Sequence, residues 1–122
     1  MKQRFQVGFD VARERLEAAA FLLEKGFPAD ATSRAYYGVY EAARVLLASR
    51  NVRPATHKGV ENQLGHRLRD ESIELQIFSR LRTDRQRCDY ELDRPDPSQV
   101  ETHLEDAKRF VEQAEALISE TS

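Results

Sequence analysis

The chain has little of several residue types on which particular folds and sites depend. Its 122 residues include one cysteine, no tryptophan, four prolines and five glycines. The single cysteine, Cys88, cannot form an intrachain disulfide, and with only three scattered histidines it gives no zinc-ligand spacing. No glycine-rich phosphate loop or nucleophile elbow occurs. The residues therefore predict neither a metal site nor a cofactor.

Long apolar runs are also missing from the sequence. Charged side chains interrupt every candidate window, including the N-terminal stretch MKQRFQVGFDVARERLEAAA. Signal peptides and membrane-spanning helices both need a continuous apolar run, so we expect neither. We therefore expect a cytoplasmic protein that does not enter a membrane.

The composition is that of a helical globular protein, with 40% hydrophobic and 33% charged residues. A chain of this length forms one domain, residues 1–122, with a core that needs no disulfide. The net charge is −2, but residues 96–122 hold seven acidic and two basic side chains, a balance of −5. The balance of residues 1–95 is therefore +3, which allows a basic surface there.

Apolar residues recur at steps of three and four along nearly the whole chain, the period of an amphipathic helix. The pattern predicts a first helix that ends at Gly26 and Pro28, then helices over 30–50, 57–69 and 72–92 and a last helix behind Asp96 and Pro97. Predicted N-caps are Asp30 and Thr56 for the second and third helices. Predicted core residues include Leu81, Cys88 and Leu92 on the fourth helix and Val100, Leu104, Ala107, Val111, Ala114 and Ile118 on the last. No strand pattern occurs, so we predict an all-α, up-and-down bundle of four to five helices.

The second helix carries polar side chains within an apolar, alanine-rich stretch, 33-SRAYYGVYEAARVLL-47. Arg34, Tyr36 and Tyr37 have polar tips that need partners when buried. Tyrosines in a bundle are more often core residues with a satisfied hydroxyl than functional groups. Gly38, four residues after Arg34, has no side chain and would let another backbone, a subunit or a ligand approach closely.

The fourth helix holds the most basic stretch, 80-RLRTDRQRCDY-90, with four arginines and one aspartate in residues 80–87. Arg85 and Asp89 lie one turn apart, so they can form an ion pair or flank a ligand. A solvated, salt-bridged helix surface is the plainer interpretation, but both project beside Leu81 and Cys88. His57 stands at a predicted helix start, where a histidine is usually a cap or a surface residue.

Three segments together resemble the HEPN superfamily of small prokaryotic helical domains, and the nearest branch is the UPF0332 type. They are SRAYYGVYEAARVLL, RPATHKGV and the RxxxDY formed by Arg85, Asp89 and Tyr90, and the resemblance spans residues 8–118. It implies a bundle of four to five helices that pairs as a homodimer. Many such proteins act on RNA, and several are toxins encoded beside a minimal nucleotidyltransferase antitoxin. It also implies that Arg34 and Tyr37 lie near Arg85, Asp89 and Tyr90, in a polar network at a cleft or dimer seam.

The sequence departs from the motif of the HEPN ribonucleases, an arginine followed after four to six residues by a histidine. Tyr90 stands where that histidine would fall after Arg85, and no histidine occurs between His66 and His103. Metal-free RNA cleavage needs an acid and a base, and tyrosine, with an ordinary pKa of about 10, serves poorly at neutral pH. Enzyme activity therefore stays open; if it exists, Arg85 and Asp89 are the catalytic candidates, with His57 approaching from its loop.

Three hypotheses for function follow from these observations. The first is an RNA- or nucleotide-binding HEPN protein that acts with a nucleotidyltransferase in a toxin–antitoxin or defence system. The second is a metal-free endoribonuclease, and the third is a non-catalytic dimerisation module in which a buried arginine–aspartate pair only sets helix register. We also expect a homodimer, because Tyr40 and Val45 lie off the main apolar stripe of the second helix and symmetric pairing would bury them.

Overall fold

A computed structural model describes the backbone of residues 2–121 and the side chains of residues 4–118. The described part of the chain forms five helices and no strand, which confirms the predicted all-α class. In chain order they are α1 (Lys2–Glu24), α2 (Pro28–Ala48), α3 (His57–Arg67), α4 (Leu75–Tyr90) and α5 (Pro97–Thr121).

Helix α2 lies at the centre of the bundle and packs against each of the other four helices. The long helices α1, α2, α4 and α5 alternate in direction. Ser33, near the start of α2, lies 3.4 Å from the carboxylate of Asp89 near the end of α4. Arg109, past the middle of α5, pairs with Glu74 just before α4 begins. The short helix α3 packs against α2 and α4.

The core is built from the apolar stripes that the sequence predicts. The whole stripe of α5 is buried, as are Phe9, Ala12, Leu16 and Ala19 of α1 and the alanine-rich face of α2. Small residues on α2 suit its central position, because they let four helices approach one axis. Burial of these side chains is the main favourable contribution to folding.

Two of the predicted helix ends are confirmed by their cap geometry. The Thr56 hydroxyl accepts a hydrogen bond from the Gly59 N–H at 2.9 Å, which caps α3. A carboxylate oxygen of Asp96 accepts from the Ser98 N–H at 2.9 Å in front of Pro97. These caps place His57 at the start of α3 and fix the first turn of α5.

Two other predictions about helix ends are wrong. Asp30 is not the N-cap of α2, because the helix already begins at Pro28, whose missing N–H suits a first turn. Leu92 is not a core residue: α4 ends at Tyr90, and Leu92 is 80% exposed with a φ of 55°. The helix ends before it completes another turn, so Leu92 projects outside the bundle.

Gly38 lies at a close contact between α2 and α1. A Cβ atom at this position would stand 2.5 Å from Cδ2 of Leu16 and 3.2 Å from the carbonyl oxygen of Ala12. The atoms that lie closest to this position therefore belong to the backbone and side chains of α1. The residue therefore sets the distance between these two helices.

We expect the substitution Gly38→Ala to destabilise the bundle by about 1–3 kcal/mol, because the new methyl group overpacks the α1–α2 contact. Gly65→Ala is the matched control, since nothing lies within 4 Å of a Cβ at that helical position. It should stabilise the protein by about 0.5–1 kcal/mol through helix propensity. Urea denaturation of both variants measures the difference. Equal stabilisation by both would show that α1 and α2 do not meet at Gly38.

Tyr40 and Val45, which the sequence pattern assigns to a dimer interface, pack within the chain. Both are partly buried against the core, and Val45 occupies the space left by Gly8 of α1. They therefore give no support to pairing through this face. Within the described residues, no helix is long and apolar enough to cross a membrane.

Candidate functional site

Helices α2, α3 and α4 bring a guanidinium and several aromatic rings together at their junction. The Cζ atom of Arg85 lies 5.2 Å from the ring centre of Tyr36, 5.5 Å from that of Tyr37 and 5.6 Å from that of Tyr90. Guanidinium groups over aromatic faces gain from the ring quadrupole, more so where water is excluded. We call this group the arginine–aromatic cluster, which comprises Tyr36, Tyr37, Tyr40, His57, Arg85 and Tyr90.

Arg85 is 8% exposed, yet few of its donors are strongly bonded. Its Nη1 donates to the Tyr90 hydroxyl at 3.3 Å and to the Asp89 carboxylate at 3.4 Å, both long distances. Its Nε is buried with no hydrogen-bond partner among the described residues. A guanidinium has five N–H donors, so Arg85 keeps donors for a further acceptor.

The guanidinium of Arg85 remains charged in this setting. Burial acts to lower the pKa of Arg85, but the hydrogen bond to Tyr90, the nearby Tyr37 and the hydrogen bond to Asp89 outweigh it. The pKa of Arg85 therefore lies above its ordinary value. The cluster holds a fixed positive charge next to aromatic faces.

His57 joins the cluster from the start of α3. Its Nδ1 lies 2.6 Å from the hydroxyl of Tyr36, and its ring stacks on Tyr40 with centres 4.2 Å apart and an interplanar angle of 15°. Burial, with the charges of Arg85 and Arg82, lowers the pKa of His57, so the imidazole is neutral at pH 7. Burial also raises the pKa of Tyr36, so this phenol keeps its proton.

The lowered pKa of His57 predicts a stability loss on mild acidification. The unfolded chain binds a proton on this residue near its ordinary pKa of 6.5, whereas the folded chain binds it only at lower pH. The contribution is fully present above pH 6.5 and is lost as pH falls from there through the folded pKa. Urea unfolding between about pH 7.5 and pH 5 should show this slope, and His57→Gln should remove it.

The carboxylates whose pKa values are lowered by pairing or by a cap affect stability in a separate, more acidic range. They are Glu71, Glu74 and Asp96, with ordinary pKa values of 4.5 or below. Their contribution should therefore persist in His57→Gln. An unchanged slope between about pH 7.5 and pH 5 in that variant would contradict the assignment.

Exposed arginines border the cluster on α2. Arg34 lies over the ring of Tyr37 at 5.8 Å, and Arg44 lies over the ring of Tyr40 at 6.0 Å. On the other side Arg82 of α4 pairs with Glu61 of α3 at 2.7 Å, which holds the two helices together. The cluster and these two arginines form one basic, aromatic surface.

The structure brings together all six residues that the sequence singled out for this site. They are Arg34, Tyr37, His57, Arg85, Asp89 and Tyr90. Asp89 stands at the edge, where its side chain is 35% exposed and its carboxylate lies 3.4 Å from Ser33 Oγ. The sequence analysis noted that Tyr36 needs a partner and gave Tyr40 to a dimer interface, but it assigned neither of them to this site. It also missed Arg44, although the four-residue spacing places all three in one row along α2.

Metal binding finds no support at this surface. Among the described residues, no three side chains of the histidine, cysteine, aspartate and glutamate types lie close enough to hold a metal ion. Arginine and tyrosine donors beside aromatic faces instead suit anionic groups and planar bases.

Comparison with known proteins decides the family. The model of the family described as "HEPN domain" matches residues 8–118. The chain belongs to the HEPN domain family. It is 30% identical to "Putative toxin MJ0605" of Methanocaldococcus jannaschii, over 98% of this chain and 92% of that protein. It is also 40% identical over 55 residues to "UPF0332 protein PH1297" of Pyrococcus horikoshii, covering 45% of this chain and 39% of that protein.

Within this HEPN domain, the RxxxDY segment forms the last residues of α4. Tyr90 stands at the end of α4, is 74% exposed, and accepts a hydrogen bond from Arg85. The histidine of the cluster is His57, which comes from α3 rather than from α4. The arrangement therefore differs from an arginine and a histidine carried on the same helix.

Proposed function

We propose that this HEPN-domain protein binds RNA or nucleotide at the arginine–aromatic cluster and acts as a toxin with a minimal nucleotidyltransferase as its antitoxin. The observation that carries the binding proposal is Arg85, a charged and nearly buried guanidinium with donors to spare beside the exposed ring of Tyr90. The toxin role is supported by the name of the relative that matches over 98% of this chain. Both roles belong in the cytoplasm.

Single-stranded RNA is the ligand that suits this surface best. Stacking of a base on an aromatic side chain contributes about 1–3 kcal/mol, and it needs a ring that a base can reach. Tyr90 is mostly exposed, while Tyr37 and Tyr40 are half-buried beneath Arg34 and Arg44. Paired bases in a duplex are stacked on each other and cannot use these rings.

Fluorescence anisotropy with a labelled oligouridylate and a matched RNA duplex tests this proposal. We expect the single strand to bind more tightly, with an affinity that falls as salt rises. The double variant Arg34→Gln/Arg44→Gln should weaken the salt dependence, because each phosphate that is no longer neutralised reduces the slope by about 0.7 for a single strand. Arg4→Gln/Arg69→Gln, which removes two exposed arginines elsewhere, is the control. Equal losses of affinity in both double variants would indicate unspecific charge attraction and contradict the proposal.

The toxin role has its own test in growing cells. Expression of the chain alone should slow growth, and the Arg85→Ala variant should relieve it. Co-expression of a nucleotidyltransferase encoded beside the protein should also relieve it. Normal growth with abundant wild-type protein would count against a toxin, while leaving RNA binding to be judged by anisotropy.

The homodimer that we propose uses a different face from the one that the sequence pattern predicts. Three large exposed apolar side chains, Phe21, Phe27 and Leu92, belong to the same end of the bundle, where α1 and α4 end. A second copy on this end would cover them and bring two clusters near each other, and two-fold pairing is the commonest assembly.

Light scattering should give twice the 14.1 kDa chain mass. We expect Phe27→Ser/Leu92→Ser to give a monomer. Val7→Ser, at an exposed apolar residue of the opposite end, should leave the dimer intact. A wild-type monomer at all concentrations would remove the dimer proposal.

A metal-free endoribonuclease is the second candidate, because His57 places a neutral imidazole against the cluster. As a base, His57 needs an unprotonated Nε2 towards the RNA, which requires the tautomer that carries its proton on Nδ1 and donates it to the Tyr36 hydroxyl. Arg85, held by Asp89, would contact the phosphate, and a proton on Nε2 would count against this candidate. RNA cleavage in the presence of a chelator, lost in His57→Gln, would support this candidate. If the RNA stays intact while binding is saturated, the protein binds RNA without cleaving it.

A further inference from the structure

Asp89 and Tyr90 place a carboxylate next to an exposed ring at the edge of the arginine–aromatic cluster. Both side chains contact the same nitrogen atom of Arg85, because Nη1 donates to the Tyr90 hydroxyl at 3.3 Å and to Asp89 Oδ2 at 3.4 Å. The carboxylate therefore lies near the hydroxyl end of the phenol ring. Tyr90 is mostly exposed, so a planar base can reach this ring. A base that stacks on Tyr90 has its edge close to Asp89, since a base extends beyond a phenol ring.

The carboxylate of Asp89 keeps acceptor capacity for a ligand. Its side chain is 35% exposed. Its hydrogen bonds from Arg85 and from Ser33 are both long, at 3.4 Å, and both use the same oxygen, Oδ2. The other oxygen, Oδ1, accepts no hydrogen bond from the part of the chain that the structure describes. An ionised carboxylate offers two acceptor oxygens, so Asp89 can accept from two N–H donors that lie side by side.

Only one of the four RNA bases offers two adjacent donors on its Watson–Crick edge. Guanine presents N1–H and the N2 amino group next to each other, a spacing that matches the two oxygens of a carboxylate. Uracil presents one N–H between two carbonyl oxygens, which a carboxylate repels. Adenine and cytosine each present one amino group beside a ring nitrogen that accepts. Unpaired bases in single-stranded RNA expose this edge, so a protein can read it there.

We propose that Asp89 makes the RNA surface selective for guanine, with the base stacked on Tyr90 and with N1–H and N2–H donating to the two carboxylate oxygens. The inference rests on the proposed RNA-binding function and specifies which base the cluster recognises. A lone carboxylate repels the phosphates of RNA. Arg85, at 3.4 Å from Asp89 Oδ2, offsets part of that charge, so the acceptor pair can stand on a basic surface.

Fluorescence anisotropy with short labelled uridine strands tests this selectivity. The central position of each strand is guanosine, inosine, adenosine, cytidine or uridine, and a single guanosine avoids the four-stranded structures of guanine runs. We expect the guanosine strand to bind about tenfold more tightly than the adenosine, cytidine and uridine strands, which is the order of discrimination that a bidentate base contact gives. Inosine keeps N1–H but lacks the amino group, so the affinity of its strand should lie between those of the guanosine and uridine strands.

Variants assign the contact to Asp89. Asp89→Asn should reduce the preference for guanosine over uridine to about one, because an amide replaces one acceptor with a donor. The same variant should bind the all-uridine strand more tightly, because a negative charge near the phosphates is removed. Tyr90→Ser should also lower the guanosine preference, since the base loses its stacking partner. Asp70→Asn, at an exposed residue outside the cluster, is the charge control and should retain the full preference. Circular dichroism should show each variant folded.

The possible outcomes separate this inference from the RNA-binding function. Equal binding of all the strands by the wild type would overturn guanine selectivity while leaving RNA binding at the cluster in place. A preference for cytidine, or a guanosine preference that persists in Asp89→Asn, would overturn it equally. If Asp89 only holds Arg85 in position, Asp89→Asn would weaken the binding of every strand alike, which also contradicts the assignment. Failure of every strand to bind would overturn RNA binding and this inference together.

Discussion

Replacing Arg85 with alanine is expected to weaken binding of single-stranded RNA by about 10- to 100-fold, because hydrogen bonds to charged groups contribute about 1.5–3 kcal/mol. Arg85 provides the charge over the rings of Tyr36, Tyr37 and Tyr90, and it retains unused donors. Its removal would take away both the proposed phosphate-binding group and the guanidinium that packs on the rings. Anisotropy with the oligouridylate measures the change, and Arg69→Ala is the control for charge.

The same substitution distinguishes a ligand site from a structural ion pair. Asp89 keeps access to water, with 35% of its side chain exposed, so the loss of Arg85 does not leave a buried unpaired carboxylate. We therefore expect a moderate stability loss of about 1–3 kcal/mol, mainly because the rings lose the guanidinium that packs on them and a space remains. Arg85→Lys should lose less stability than Arg85→Ala but retain little RNA binding, because lysine lacks the planar set of N–H donors of a guanidinium. Reduced stability with unchanged RNA binding would show that the network only fixes the helices.

The sequence predicts the helices well because each one buries a continuous stripe. The six apolar residues of α5 recur at steps of three and four, and all six are buried. Helix ends depend on competition between local start and stop signals. The apolar period carries no information about that competition. Pro28 starts α2 ahead of Asp30, and the chain leaves α4 at Tyr90 before Leu92 can return to the core.

The candidate site likewise contains some contacts that the sequence predicts and others that it does not. Arg85 and Asp89 share one turn of one helix, so their proximity follows from spacing alone. The contact between Tyr36 and His57 joins residues 21 positions apart, and it depends on how residues 49–56 cross from α2 to α3. No local pattern encodes that crossing. The helical period places Tyr40 off the main apolar stripe of α2, which predicts burial by a partner chain. In the structure, α3 instead brings the ring of His57 onto the ring of Tyr40.

Tyr36 is the residue on which the cluster is built, and truncating it should have the largest effect on stability. It is fully buried and contacts Tyr37, Tyr40, His57 and Phe78 while supporting Arg85. We expect Tyr36→Ala to lower the free energy of unfolding by about 3–5 kcal/mol, as for other large aromatic side chains removed from a core. Urea denaturation measures this loss.

Tyr36→Phe keeps the ring and removes only the hydroxyl, so it should lower the free energy of unfolding by about 1 kcal/mol. Its informative effect is on His57. Because Tyr36 keeps its proton, we expect its hydroxyl to donate to Nδ1 of His57, which leaves the imidazole proton on Nε2. Nitrogen NMR of the wild type should then show one tautomer, and Tyr36→Phe should show a mixture of the two. The same mixture in the wild type would mean that Tyr36 does not set the state of His57, and a Phe variant as unstable as Tyr36→Ala would mean that the hydroxyl outweighs the packing of the ring.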